Sequence, residues 1–200
     1  MTAPPQEWTR APDLDGDLVR LTALDPAHAP GLLAAADDDE IFRWTSYAPP
    51  ADLGDVEAMV ADHLARPAAT QWTQVDLARD AVAGITTFYE VDPGSRSLAI
   101  GYTWLSRASW RSGVNTESKL LLLTRAFETL GAVRVVWHVD SRNERSVAAV
   151  ERLGATREGL LRKHKLRRDG TWRDTVQLAL VDDEWAGVKE RLQGFLARRR

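Results

Sequence analysis

Apolar and polar residues alternate from Leu18 to Leu24, which marks a half-buried strand entered through the turn at Asp15 and Gly16. Pro26 then stands where a first helical turn accepts proline, and a helix runs from it through Ala36. Ile41 to Pro50 is aromatic and irregular, and a second helix covers about Asp52 to Arg66 until Pro67 stops it. Three strands come next, Gln71 to Asp76, Ala81 to Tyr89 and Ser97 to Leu105, separated by short polar turns that include Asp92, Pro93 and Gly94. They predict an antiparallel meander. A helical pattern from Thr116 to Leu130 ends at Gly131, the residue type that takes a left-handed cap. Arg134 to Val139 is β-branched and apolar and reads as a buried strand. Asn143 to Leu153 forms another helix closed by Gly154, and Thr156 to His164 pairs with Thr171 to Leu180 across Asp169 and Gly170. Trp185 to Arg198 is a terminal amphipathic helix. The sum is an α+β (mixed α/β) fold: a central mixed, largely antiparallel sheet of six to seven strands, helices on both faces, and a βαβ crossover in the second half.

Residues 1–13, with Pro4, Pro5 and Pro12, read as a flexible tail, and residues 14–200 as a single domain. At 200 residues and 44% hydrophobic content the chain can bury a sizeable core. A net charge of −3 and a pI near 5.8 supply no overall field for nucleic acid or an anionic membrane. The local cluster Arg162, Lys163, His164, Lys165, Arg167 and Arg168 is read as a solvated strand face. Cysteine is absent, so disulfides and thiolate chemistry are excluded, and no metal is expected. Leu120 to Leu123 is far too short to span a bilayer and the start lacks a charged then apolar run, so the cytoplasm is the expected location, without a membrane partner.

The densest chemical signal lies between Ser97 and Gly131. A strand ending at Leu105 leads into Trp110, Arg111, Ser112, Gly113, Val114 and Asn115, and a helix follows. A helix N-terminus leaves amides unpaired and points a positive partial charge outward, so the turn feeding it can hold phosphate. Gly113 lets a pyrophosphate approach the backbone closely.

This turn, the run GVNTESK from Gly113 to Lys119, the segment NERSVAAVERLGA from Asn143 to Ala155 and the order of elements together resemble the GNAT acetyltransferases, in their RimJ/RimL-like branch. The likeness extends from Leu18 to the final helix. It implies that the fourth and fifth strands, here Ser97 to Leu105 and Arg134 to Val139, splay apart to admit the pantetheine arm of acetyl-CoA. The turn Arg111, Ser112, Gly113, Val114, Asn115 and Thr116 would hold the pyrophosphate, with Asn143 as a further coenzyme contact. Freed amides near Trp104 and Leu105 would polarise the thioester carbonyl, at roughly 3 kcal/mol for one well-aimed donor. Trp110 and Asn115 depart from the residues usual in the superfamily, and Asn115 can still cap the helix. Val150 stands where a tyrosine proton donor is common, and Ala99 where an acidic residue is common, so the resemblance identifies no general base. Ser146, three residues after Asn143, matches a serine that RimL-like enzymes are thought to use toward the departing thiolate.

The implied function is direct transfer of acetyl from acetyl-CoA to a primary amine, either a protein N-terminus, a ribosomal protein's among them, or a small molecule. Ser146 and Tyr102 are the catalytic candidates, Tyr102 as a proton relay with Glu90 as a second. Asn143 also suits a plain helix cap, and both roles can hold. Glu117 is read as a helix-dipole partner without catalysis, and His138 as packing within or beside the sheet. Phe42, Trp44 and Tyr47 stand where the fold walls an acceptor pocket, or they cover the sheet end. Two alternatives remain: an inactive GNAT-fold coenzyme-binding or interaction module, and a nucleic-acid or ribosome-binding protein using Arg162 to Arg168 with Arg198, Arg199 and Arg200. The chain is expected as a monomer or homodimer.

Overall fold

A computed structural model describes residues 3–198. One eight-stranded sheet has the order β1-β2-β3-β4-β5-β6-β8-β7. The strands are β1 (Leu14–Asp15), β2 (Val19–Ala23), β3 (Thr70–Asp76), β4 (Ala81–Asp92), β5 (Ser97–Leu105), β6 (Arg134–Asp140), β7 (Thr156–Leu166) and β8 (Trp172–Val181). All neighbours are antiparallel except β5 and β6. The eighth strand, beyond the six or seven expected, is the two-residue β1, too short to leave an alternation in the sequence.

Side-chain alternation along β5 divides the interior into two cores. Leu98, Ile100 and Leu105 join the cluster formed by α4 (Val114–Thr124), α5 (Glu144–Leu153) and α6 (Asp182–Ala197). Trp104 joins Ile85 in the cluster on the opposite face, beneath α2 (Ala29–Ala35) and α3 (Leu53–Leu64). Glycine punctuation is where the sequence placed it: Gly131, Gly154 and Gly170 have φ of 74°, 119° and 79°. The long helix differs in detail. It begins at Val114 rather than Thr116, and its last stretch, Arg125–Leu130, widens into a π-turn.

The expected loose tail is docked from Ala3 onward. Arg125 is buried on α4's continuation and needs acceptors, which the tail supplies: its Nη2 donates to the carbonyls of Glu7 and Arg10 at 2.8 and 2.9 Å. Trp8, in the short helix α1 (Pro5–Trp8), is fully buried, and Thr70 Oγ1 donates to its carbonyl. Burying one tryptophan contributes about 2 to 3 kcal/mol at the usual area coefficient, enough to offset the ordering of a few residues. Arg199 and Arg200 of the terminal basic cluster lie outside the described residues.

Candidate functional site

Two neighbouring strands begin as a pair and then part. β5 and β6 match Ser97 with Arg134, Leu98 with Val135 and Ala99 with Val136, after which the pairing ceases although β5 continues to Leu105 and β6 to Asp140. Just beyond the parting β5 bulges: Ile85 pairs with Trp104 but Thr87 with Gly101, so β5 carries one extra residue there. Tyr102 occupies it at a φ of 49°, a left-handed conformation that is strained for an aromatic residue. Behind the bulge, Thr86 and Thr103 hydroxyls meet at 2.8 Å, and Lys119 Nζ donates to them at 3.1 and 3.0 Å. Burial pushes the Lys119 ammonium down to about 7, with the two threonine hydroxyls as its hydrogen-bond partners. A helix residue thereby fixes the point at which the strand bends away.

The parting corrects one expectation. The free edge starts at Ile100, upstream of Trp104 and Leu105, whose side chains are buried. Trp104 packs on Phe42, with ring centroids 5.3 Å apart, and the Leu105 carbonyl accepts Trp110 Nε1 at 2.8 Å. Their side chains are thus committed to packing, and the Trp104 carbonyl accepts Gln74 Nε2 at 3.3 Å.

The free edge leads to the turn before α4. Arg111 and Gly113 have φ of 59° and 102°, so the backbone reverses hand twice within three residues, and glycine tolerates this at Gly113 without strain. Ser112 Oγ donates to the Ser109 carbonyl at 2.7 Å and receives the Val114 amide at 3.3 Å. Gly113 is the residue preceding the helix, so Asn115 lies inside the first turn and does not cap it. The amides of Val114, Asn115 and Thr116 have no carbonyl within the helix to bind. Glu117, the acid of this first turn, is aimed elsewhere: its carboxylate accepts the amides of Asp17, Leu18 and Val19 at 3.0, 2.6 and 2.8 Å. A Cβ on Gly16 would fall 2.3 Å from its Oε2, so that position requires glycine. The carboxylate that would repel phosphate is thus turned into a brace between α4 and β2.

Trp110 meets two cations, with the Arg107 and Arg145 guanidinium carbons 4.2 and 3.9 Å from its ring centroid. Arg145 belongs to α5, so this stack ties the turn to the helix carrying Ser146. Asn143 is the cap of α5, its Oδ1 accepting the Ser146 amide at 3.1 Å. Ser146 is half-buried.

On the α3 face of the opening lies an aromatic and histidine belt. The Tyr102 ring is 5.1 Å from Tyr89 and 5.8 Å from His63, and Arg66 stacks on it at 4.2 Å. Tyr89 Oη is 3.0 Å from His138 Nδ1, the His138 and His164 rings are 5.6 Å apart, and Glu90 Oε2 is 3.8 Å from His138 Nδ1. Burial drives His63 down to about 4 and also lowers His138, which Glu90 partly counters. Of the three aromatic residues expected to wall an acceptor pocket, one stands here. Tyr47 lies 5.3 Å from His63 and accepts Arg66 Nη2 at 2.9 Å, with Asp62 receiving its proton; burial pushes its phenol up to about 12. Phe42 is instead core, fully buried against Trp104, because the short turn Asp39–Phe42 points it inward. Trp44 is half-buried, with the Arg43 guanidinium 5.3 Å from its ring centroid, outside this belt. His63, Arg66 and Tyr89 escaped the sequence reading because helix phase and strand parity that place them together depend on the bulge.

Residues 19–156 match the acetyltransferase (GNAT) domain. The chain belongs to the GNAT acetyltransferase family. A GNAT relative of Bacillus subtilis, "Putative ribosomal N-acetyltransferase YdaF", is 28% identical over 176 residues, covering 86% of this chain and 95% of that protein. The crystal structure of a GCN5-related N-acetyltransferase from Brucella melitensis superposes with a TM-score of 0.88 at 28% identity, covering 96% of this chain and 90% of the other. A spermidine N-acetyltransferase from Vibrio cholerae, solved with CoA and spermine, shares the GNAT fold at a TM-score of 0.69 and 17% identity, covering 86% and 99%. GNAT enzymes use acetyl-CoA, and the residues present are compatible with it: the unpaired edge of β5 would face a pantetheine arm, and the amides of α4's first turn would face a pyrophosphate. No helix among the described residues is long and apolar enough to cross a membrane.

Proposed function

We propose that this GNAT protein moves the acetyl group of acetyl-CoA directly onto a primary amine of a protein N-terminus or a small molecule. The observation that carries the reading is the end of β5–β6 pairing at Ala99 and Val136, on a strand whose free edge leads on to the turn before α4. The acceptor nitrogen forms a bond to the thioester carbon, the carbon–sulfur bond breaks, and the nitrogen gives up a proton. In the reading, main-chain amides along the free edge of β5 face the carbonyl oxygen as it gathers charge. Ser146 gives its hydroxyl proton to the departing sulfur and regains one from solvent, while the amine's proton passes to solvent along a path lined by Tyr102, held at the bulge, so that one proton leaves the nitrogen and one arrives on sulfur. No cysteine exists to carry the acetyl group, which favours one step without an acyl-enzyme.

A thiol-release assay with acetyl-CoA against N-terminal peptides, amino acids and polyamines tests this, with coenzyme A affinity measured by calorimetry alongside. Amine-dependent thiol release is the expected result. Stoichiometric coenzyme binding with no release against the whole panel would establish the inactive module instead.

A further inference from the structure

The α3 face of the opening holds more cations than acids. Resting on the amine-acceptor reading above, we infer that the acceptor carries a carboxylate close to its reactive amine, bound by Lys165 and Arg173. Arg173 gives one nitrogen, Nη2, to the His138 carbonyl at 2.7 Å, while its Nε is buried without a partner. Lys165 stands opposite Arg173 in the β7–β8 register and is the partly buried residue of a strand otherwise exposed. Neither forms an ion pair among the described residues; the acid near Arg173, Asp140, is occupied by Arg167 at 2.7 and 3.0 Å. Arg66 adds a third cation over Tyr102, though Asp62 and Tyr47 already engage it. The acid facing these cations is Glu90, whose Oε2 lies 3.8 Å from His138 Nδ1 and whose charge also acts on Lys165, so one carboxylate stands against Lys165 and Arg173 together.

Two consequences follow from that imbalance. A carboxylate supplies charge-assisted hydrogen bonds to donors the protein leaves unmatched. The same field favours the neutral form of the acceptor's amine, the form that attacks, and repels a polyamine with several positive charges.

Matched acceptors separate the sources of the carboxylate: serine against serinamide, and N-terminal tetrapeptides with Asp and Glu against Asn and Gln at the second and third positions, with spermidine as polycation. The carboxylate member of each favoured pair is expected to have a kcat/KM about tenfold higher, the scale of one charge-assisted contact. That ratio should collapse toward one in Lys165→Met and persist in Lys165→Arg. Equal rates within every pair, or spermidine as the best acceptor, would overturn the inference. Binding provides a test that does not need turnover: calorimetry with the N-acetylated products should show the same tenfold preference, and a flat comparison overturns it. Thiol release absent for every amine, with the binding preference intact, would refute acetyl transfer and leave carboxylate recognition standing.

Discussion

Tyr89 on β4 reaches His138 on β6, Oη to Nδ1 at 3.0 Å, although β5 lies between their strands. The crossing works because the β5 residues beneath the ring are Ala99 and Gly101; a Cβ on Gly101 would lie 2.7 Å from Tyr89 Cε1. Gly101→Ala should therefore displace the phenol, uncover His138 and let its lowered pKa rise toward the ordinary histidine value, as read by NMR titration of the ring. The forced repacking should cost about 1 to 3 kcal/mol of stability. An unchanged His138 titration would show that the ring does not control it.

Ser146→Ala should lower kcat about a hundredfold, the usual worth of a positioned general acid, with coenzyme A affinity preserved. Asn143→Ala removes the α5 cap and should cost about 1 kcal/mol of stability, which separates a helix-end effect from loss of the hydroxyl. A Ser146→Ala rate within twofold of the parent refutes the acid role.

Glu117→Gln replaces a carboxylate that accepts three amides with a group whose amide nitrogen cannot accept any. We expect a loss of about 3 kcal/mol, on the scale of hydrogen bonds to buried charge. Denaturant titration of parent and variant measures it, and a difference under 1 kcal/mol would mean the brace contributes little.

His63 makes stability fall on the acid side. Its buried ring stays neutral down to about 4, whereas in the unfolded chain it titrates near 6.5, so stability is full above about 6.5 and declines as pH drops toward 4. The loss assigned to this ring is roughly 3 kcal/mol at one proton over that interval. Denaturation of His63→Phe between pH 7 and 4 should show a correspondingly shallower decline, and identical slopes would reject the assignment.

Lys119 acts on the alkaline side with the opposite window. Folded, it loses its proton at about 7, while the unfolded chain holds that proton to about 10.4, so stability rises with pH between those values by up to about 1.4 kcal/mol per unit. In Lys119→Met that rise should vanish while the Thr86–Thr103 bond persists. Urea midpoints at pH 7 and 9 provide the comparison.

Most of the fold was legible because proline, glycine and alternation punctuate this chain densely. Ser97–Leu105 was bounded correctly from its apolar run, and Gly131, Gly154 and Gly170 adopt the left-handed backbone their positions implied. The turn before the long helix was legible too, since Gly113 stands directly before a helix. What stayed hidden depends on register. Gly101 inside the strand is compatible with a bulge but does not locate one at Tyr102, and without that register neither the start of the free edge at Ile100 nor the meeting of His63, Tyr89, Tyr102 and His138 can be placed. The tail was misread because its prolines outweighed the one apolar signal in it, Trp8. Phe42 was placed in a pocket wall because sequence order does not distinguish the inner from the outer side of a short turn.

The contact of Glu117 with Asp17, Leu18 and Val19 joins residues 98 to 100 positions apart. Closing so long a loop is entropically slow and rewards the chain only when both ends are in place. The first turn of α4 is therefore a late product of folding: a fragment starting after β2 would keep the glycine turn in its sequence yet lack the anchorage that orients it, and a nascent chain completes this corner, proposed above to hold the coenzyme, only once the amino-terminal strand has been captured.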